Sequence, residues 1–229
     1  MIKAVIFDLD NTLIDFMKFK KACISASVDA MIAKGLKISK EQAMGMIFEI
    51  YHEYGFEYQT IFEHFLKKAM GETDFKLIAT AISAYRKEKV KHMKPYDNVV
   101  ATLKKLRERG IKLAIVTDAP KFQAYTRLAD LDLLYEFDTI ICFEDTYERK
   151  PSSAPFKKAL SVLKLEPAEV LMIGDMPARD IAGAKAMGMK TALAVYGLAP
   201  EVSANIKAIE PKADWELHDI SDLVKILSG

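Results

Sequence analysis

The sequence predicts an α/β protein in which a parallel sheet is covered by helices on both faces, with an all-helical insertion after the first strand. Three observations predict it. A short, mostly β-favouring apolar run at residues 2–8 ends in a polar cluster. The stretch from 18 to 93 carries apolar residues at helical spacing and no convincing strand. From 94 onward, helical and strand-like segments alternate, which is the pattern of strands joined by helical crossovers.

The first strand, 2–8, delivers Asp8-Leu9-Asp10-Asn11-Thr12 at its C-terminal end, so two carboxylates stand at a strand tip. Within the insertion, apolar sets such as Ile24, Val28, Met31 and Ile32, or Ile61, Phe62, Phe65 and Leu66, are separated by Gly35, Gly55 and Gly71, which divides it into about four helices. Ser39 and Gln42 have the spacing of a capping box at the start of one of them. Lys94-Pro95-Tyr96 marks the return to the sheet. There follow a helix over 97–109, a strand over 112–117, a helix over 121–134, a strand over 139–143 and a helix over 155–163. A strand over 170–173, a helix over 178–187, a strand over 191–195 and a last helix near 221–227 complete the series. The reading is a Rossmann-like, doubly wound core from residues 1–15 and 94–229, with residues 16–93 as an inserted helical subdomain.

With 229 residues, 51% of them hydrophobic, one sizeable core and one smaller unit are expected. The formal net charge of +1, from 33 basic and 32 acidic residues, provides no bulk field to recruit nucleic acid or an anionic membrane. An anionic substrate must therefore be caught locally. Cys23 and Cys142 are far apart in apolar surroundings, which offers neither a disulfide framework nor a metal-binding pair and fits a reducing cytoplasm. The first residues run directly into Asp8 and Asp10 without the apolar stretch of a signal peptide, and no run approaches membrane-spanning length. Six amide residues against abundant Lys and Glu is a bias associated with high-temperature proteins. Oligomeric state leaves no mark on the sequence.

Ligands of such sheets bind outside the carboxyl ends of the strands, and four predicted tips carry polar residues. At the first, Asp8 and Asp10 would repel each other unless a cation or hydrogen bonds intervene, and hard oxygen ligands suit Mg²⁺. The second, Thr117-Asp118, offers a hydroxyl and backbone N–H groups before a helix, a geometry for phosphate oxygens, although Thr117 alone reads equally as a cap. The third, Lys150-Pro151, places a cation on stiffened backbone, although a lone lysine is ordinarily a solvated surface charge. The fourth, Gly174-Asp175 with Asp180, brings two more carboxylates, which by themselves could simply be helix N-terminal acids. Acid pair, hydroxyl, cation and acid pair following four separate strands of one sheet is an arrangement that independent surface accidents do not produce.

At these residues the sequence resembles the haloacid dehalogenase superfamily: Asp8-Leu9-Asp10-Asn11-Thr12, Thr117-Asp118, Lys150-Pro151 and Gly174-Asp175 with Asp180 are similar to its motifs one to four, in order. The helical stretch corresponds to the cap subdomain of the branch with its cap between motifs one and two. The resemblance implies a Mg²⁺-dependent phosphatase acting on a small phosphorylated metabolite, such as a triose or sugar phosphate, phosphoglycolate or glyceraldehyde 3-phosphate, through an aspartyl-phosphate. It implies that Asp8 is the nucleophile and Asp10 the general acid and base. Thr117, with neighbouring backbone amides, and Lys150 would hold the phosphoryl group, Lys150 also stabilising Asp8; Asp118 would bind substrate beside Thr117, support a neighbouring residue in the manner of Asp180, or be only an acid at a helix N-terminus. Mg²⁺ would be held by Asp8, the backbone carbonyl of Asp10, and Asp175. Asp180 would act through a metal-bound water or by orienting Lys150.

Three alternatives stand beside this. A 2-haloacid dehalogenase shares nucleophile and cap position but lacks a second acid in the first motif and needs no metal, so Asp10 and Asp175 argue against it. A sugar-phosphate mutase shares the motifs and differs in what accepts the phosphoryl group. A non-catalytic regulatory protein would be favoured by loss of Asp8 or Asp10, and both are present. In the cap, Phe16, Phe19, His52, Tyr54, Phe56, Tyr58, His64 and Tyr85 invite a substrate-pocket reading, although aromatics at helical spacing are more often core.

Overall fold

The structure, a computed structural model, describes residues 1–198, 203, 208 and 210–227. The chain divides into two compact units, Phe16–Met93 and the combination of Met1–Asp15 with Lys94–Gly229.

In the first unit the described residues form four helices: α1 (Phe16–Ala33), α2 (Lys40–Tyr54), α3 (Ile61–Met70) and α4 (Phe75–His92). The Ser39 capping box is formed, its hydroxyl accepting from Gln42 N–H at 3.2 Å and its own N–H donating to Gln42 Oε1 at 3.4 Å, which satisfies two N-terminal donors of α2. Gly55 and Gly71 end α2 and α3 at φ of 87° and 82°, where a Cβ is disfavoured. α1 and α4 pack along each other, and Ile24, Val28, Met31, Ile47, Phe65 and Leu77 meet in one buried cluster. Phe16 and Phe19 are buried and meet edge to face at 5.2 Å, while Tyr54, Tyr58 and His64 form a second ring cluster. Lys20 is buried with its ammonium 4.7 Å from the Tyr51 ring centroid and 5.6 Å from that of Tyr85.

The second unit is Rossmann-like. Its described strands are β1 (Ala4–Phe7), β2 (Lys112–Val116), β3 (Thr139–Ile141), β4 (Val170–Gly174), β5 (Lys190–Ala194) and β6 (Trp215–Leu217). They form one parallel sheet in the order β3-β2-β1-β4-β5-β6. Helices α5 (Val99–Glu108), α6 (Lys121–Asp130), α7 (Ser153–Leu163), α8 (Ala182–Ala186) and α9 (Asp222–Ile226) accompany it. β1 is central and wholly buried, and its parallel register puts Ile6 level with Ala114 and Met172. Those residues share a face with Ala4, Val116 and Val170 and pack on Phe156 and Leu160 of α7 and Ala184 of α8. A strand buried on both faces has no polar alternation, which is why Ala4-Val5-Ile6-Phe7 reads as a continuous apolar run.

The helix expected over 121–134 ends at Asp130 and the strand expected over 139–143 at Ile141, and two further features depart more from the sequence expectation. β6 was not foreseen, because a three-residue edge strand whose central Glu216 is exposed carries too short a pattern to register. The helix expected over 178–187 opens instead as a π-helical turn, Pro177–Ile181, before α8, and this wide turn brings Asp180 Oδ2 back to accept from Met176 N–H at 2.9 Å. Among the described residues no helix is long and apolar enough to cross a membrane.

Candidate active site

The polar residues of the second unit converge at the carboxyl ends of β1, β2 and β4, the central strands, where the parallel order makes their following loops neighbours. β1 hands directly to Asp8, whose N–H continues the ladder by donating to Ile173 O at 2.8 Å. The chain then turns tightly. Asn11 takes φ 59°, a left-handed conformation that asparagine tolerates, and its N–H donates to Ile14 O at 2.7 Å. This holds Asp8 and Asp10 on a short, internally bonded loop. Asp8 is buried and the Asp10 side chain partly so.

Lys150 reaches the site from the loop before α7. Its buried ammonium stands 2.5 Å from Asp8 Oδ1 and 2.6 Å from Asp180 Oδ1, bridging two carboxylates that are themselves buried. Asp180 has its other oxygen fixed by Met176 N–H, so it can hold Lys150 without moving. A side chain at Gly174 would overlap the Asp180 carboxylate, which explains the glycine at the end of β4. Asp118, read from the sequence as a substrate-binding or a supporting residue, turns its carboxylate to the protein. Oδ1 accepts from Lys150 N–H at 2.9 Å, and Oδ2 lies 3.5 Å from Arg179 Nη1. Thr117 follows β2 directly, buried, and its hydroxyl accepts from Ala119 N–H at 3.1 Å.

Asp8, Asp175 and Asp180 form the acidic cluster of the site, with one carboxylate oxygen from each lying within 4.8 Å of the others. Asp175 Oδ1 is buried with no hydrogen-bond partner, an arrangement that costs free energy unless a cation or donor meets it. This orphaned oxygen, in an all-oxygen donor set, fits a hard divalent cation. The carboxylate of Asp10 stands outside that cluster and pairs with Arg127, whose Nη1 lies 2.7 Å from Asp10 Oδ2.

The electrostatics follow from burial and crowding. Burial pushes the Asp8 carboxyl up to about 7; the Lys150 ammonium opposes this rise, while Asp180 and Asp10 add to it. Asp175 is raised well above the ordinary carboxylate range by burial first and by Asp8 and Asp180 next. For Lys150, burial disfavours the charge, and the carboxylates of Asp180, Asp8 and Asp118 more than offset it, holding the ammonium above its usual range. With every group ionised, Asp8, Asp10, Asp175 and Asp180 against Lys150 and Arg127 leave two formal negative charges, the charge one divalent cation cancels.

Residues that the sequence reading passed over also shape the site. Arg127 lies on α6 with Ala124 and Leu128 along its buried stripe, and an arginine at a core-facing position was the available signal. Tyr196 donates its hydroxyl to Thr12 O at 2.9 Å, and Gly197 lies so close to Asn11 O that no Cβ would fit, so the segment after β5 braces the first loop. No spacing rule marks that contact.

Residues 5–194 match the haloacid dehalogenase-like hydrolase family. Over its whole length the chain is 31% identical to a glyceraldehyde 3-phosphate phosphatase of Methanocaldococcus jannaschii, covering 98% of that protein. It is also 31% identical to a phosphoglycolate phosphatase of Aquifex aeolicus, across 99% of this chain and 97% of that one. Among solved structures it is similar to a HAD phosphatase from Thermococcus onnurineus, with a TM-score of 0.70 and 27% identity over 100% of this chain and 99% of the other. The aspartate-bearing loop after β1, the lysine bridging two buried carboxylates and this match together make the chain a member of the haloacid dehalogenase-like hydrolase family.

Proposed function

We propose that this protein is a Mg²⁺-dependent phosphatase of small phosphorylated metabolites, with Asp8 as nucleophile. The observation that carries the reading is the pairing of Asp8 with Lys150 at 2.5 Å beside an acidic cluster with an orphaned oxygen on Asp175. An Asp8 carboxylate oxygen attacks phosphorus and the bond from phosphorus to the ester oxygen breaks, while Asp10 gives that oxygen a proton. Water then attacks the phosphorus of the aspartyl-phosphate, giving its proton to Asp10, and the bond from phosphorus to Asp8 breaks to release phosphate. Lys150 keeps Asp8 ionised and oriented and screens the negative charge brought by the phosphoryl group. Thr117 and nearby backbone N–H groups hold the phosphoryl oxygens. Asp118 works one step back, fixing the backbone that carries Lys150. Asp180 orients the Lys150 ammonium.

Asp8, Asp175 and the backbone of Asp10 would hold Mg²⁺, with Asp180 close enough to act directly or through a bound water. The ion would supply charge neutralisation at the phosphoryl oxygens. Because the metal-free fold raises the Asp8 and Asp175 carboxyls, Mg²⁺ must displace protons from them. Binding of Mg²⁺ would therefore weaken as pH falls through the Asp8 value of about 7, where that carboxyl takes up a proton. Titration calorimetry in two buffers of different ionisation enthalpy should show proton release near pH 6.5 that shrinks as the pH is raised.

The substrate class is that of the similar phosphatases, glyceraldehyde 3-phosphate or phosphoglycolate, in a reducing cytoplasm that suits two free buried cysteines. The test is phosphate release from a panel of triose, sugar and two-carbon phosphates, with and without Mg²⁺. Release that needs the metal and favours a small phosphate is the expected result. An inactive wild type across the panel, with Mg²⁺ bound, contradicts it.

A further inference from the structure

We propose that Arg127 is a positioning residue for Asp10, holding its carboxylate where it can pass a proton to the leaving oxygen and take one from water; this rests on the phosphatase reading above. Arg127 is buried along the inner stripe of α6, a place that arginine occupies only with a partner, and its Nη1 meets Asp10 Oδ2 at 2.7 Å across 117 positions of sequence. The two residues come from adjacent strands of the sheet: Asp10 follows β1, and Arg127 lies on the helix that follows β2. One strand and its following helix thus deliver both Thr117 and Arg127 to the site.

The geometry assigns different work to the two cations. Lys150 is a point charge between Asp8 and Asp180, the nucleophile and a carboxylate fixed by the Met176 N–H. Arg127 engages the one site carboxylate outside the acidic cluster. Asp10 lies on a loop and is the least buried of the four site carboxylates. A guanidinium is planar and presents its N–H groups in fixed directions, so it constrains both the distance and the orientation of its partner more than a lysine ammonium does. Proton transfer depends steeply on that placement.

The test uses the full chain with saturating Mg²⁺ and p-nitrophenyl phosphate, whose nitrophenolate departs without needing a proton, so that only hydrolysis of the phosphoenzyme calls on Asp10. For Arg127→Met the expected record is a burst of about one nitrophenolate per chain at near wild-type rate, followed by a steady rate slowed about 100-fold. Asp10→Asn should give the same record, and adding Arg127→Met to it should cost less than about 3-fold more. Arg127→Lys, which keeps charge and loses the fork, should recover about a tenth of the wild-type steady rate, and it serves the same double-variant comparison if the methionine variant folds poorly. Losses that multiply in the double variant, or a burst that falls in step with the steady rate, overturn the proposal. A wild type that releases no phosphate from p-nitrophenyl phosphate or from the metabolite panel overturns the phosphatase reading itself, and the inference with it, before any Arg127 variant is measured.

Discussion

Asp8→Asn should lower turnover by about 10⁵-fold or more while leaving the metal-free protein at least as stable as wild type. The activity loss follows from chemistry: an amide of the same shape cannot form the acyl phosphate. The stability result follows from the site. Burial pushes the Asp8 carboxyl up to about 7, against an ordinary value of 3.8, so at pH 8 the fold bears the cost of an ionised carboxylate that it would prefer protonated. A group with a raised folded value contributes stability below its unfolded value and loses it as pH rises through the folded one, so an uncharged replacement is relieved of that loss. Lys150 keeps Asp180 at 2.6 Å as its partner. Denaturant melts in EDTA at pH 8, beside turnover assays with Mg²⁺, check both halves. A large drop in stability would mean that Asp8 serves mainly as structure.

Lys150→Met should fail in both respects, losing about 10³-fold in turnover and about 3–5 kcal/mol in stability. Removing the ammonium leaves Asp8 and Asp180 facing each other in a buried site with no cation between them. The deficit has a pH sign. Without Lys150 the Asp8 carboxyl rises further and can escape only by taking up a proton, so the loss relative to wild type should be smaller at pH 5.5 than at pH 8 in EDTA. Mg²⁺ should recover part of the stability by replacing the missing charge and little of the activity. A loss of stability that does not change with pH would place the role of Lys150 in packing rather than charge.

The sheet and the carboxylates were legible for a common reason. A doubly buried strand must be a continuous apolar run, and Ala4-Val5-Ile6-Phe7 meets Asp8 with nothing between, so one pattern announces both the strand and its tip. Asp175 after β4 is read in the same way. Lys150 was visible only in the company of the others, because nothing in a lone lysine says that it will be buried between Asp8 and Asp180. β6 escaped notice because three residues at a sheet edge leave no period to detect. The π turn at Pro177–Ile181 escaped because the need to aim Asp180 overrides the helical pattern around it. Arg127, Tyr196 and Gly197 act through contacts more than 100 positions distant in the chain, and local spacing carries no record of such a partner. In the helical unit, aromatics that invited a pocket reading also pack on one another, Phe16 edge to face with Phe19 and Tyr54 stacked on Tyr58, while Lys20, which no pattern marked, is held against Tyr51.

If phosphate passes through Asp8, the phosphorylated enzyme can be trapped. The most direct measurement is to mix the Asp10→Asn variant with Mg²⁺ and p-nitrophenyl phosphate, quench in acid, and locate the phosphoryl group by peptide mass spectrometry. About one acid-stable, base-labile phosphoryl group per chain is expected on Asp8 itself, since the variant can be phosphorylated but cannot activate water for release. A phosphoryl group found on another residue, or none while wild type still releases phosphate, would contradict it.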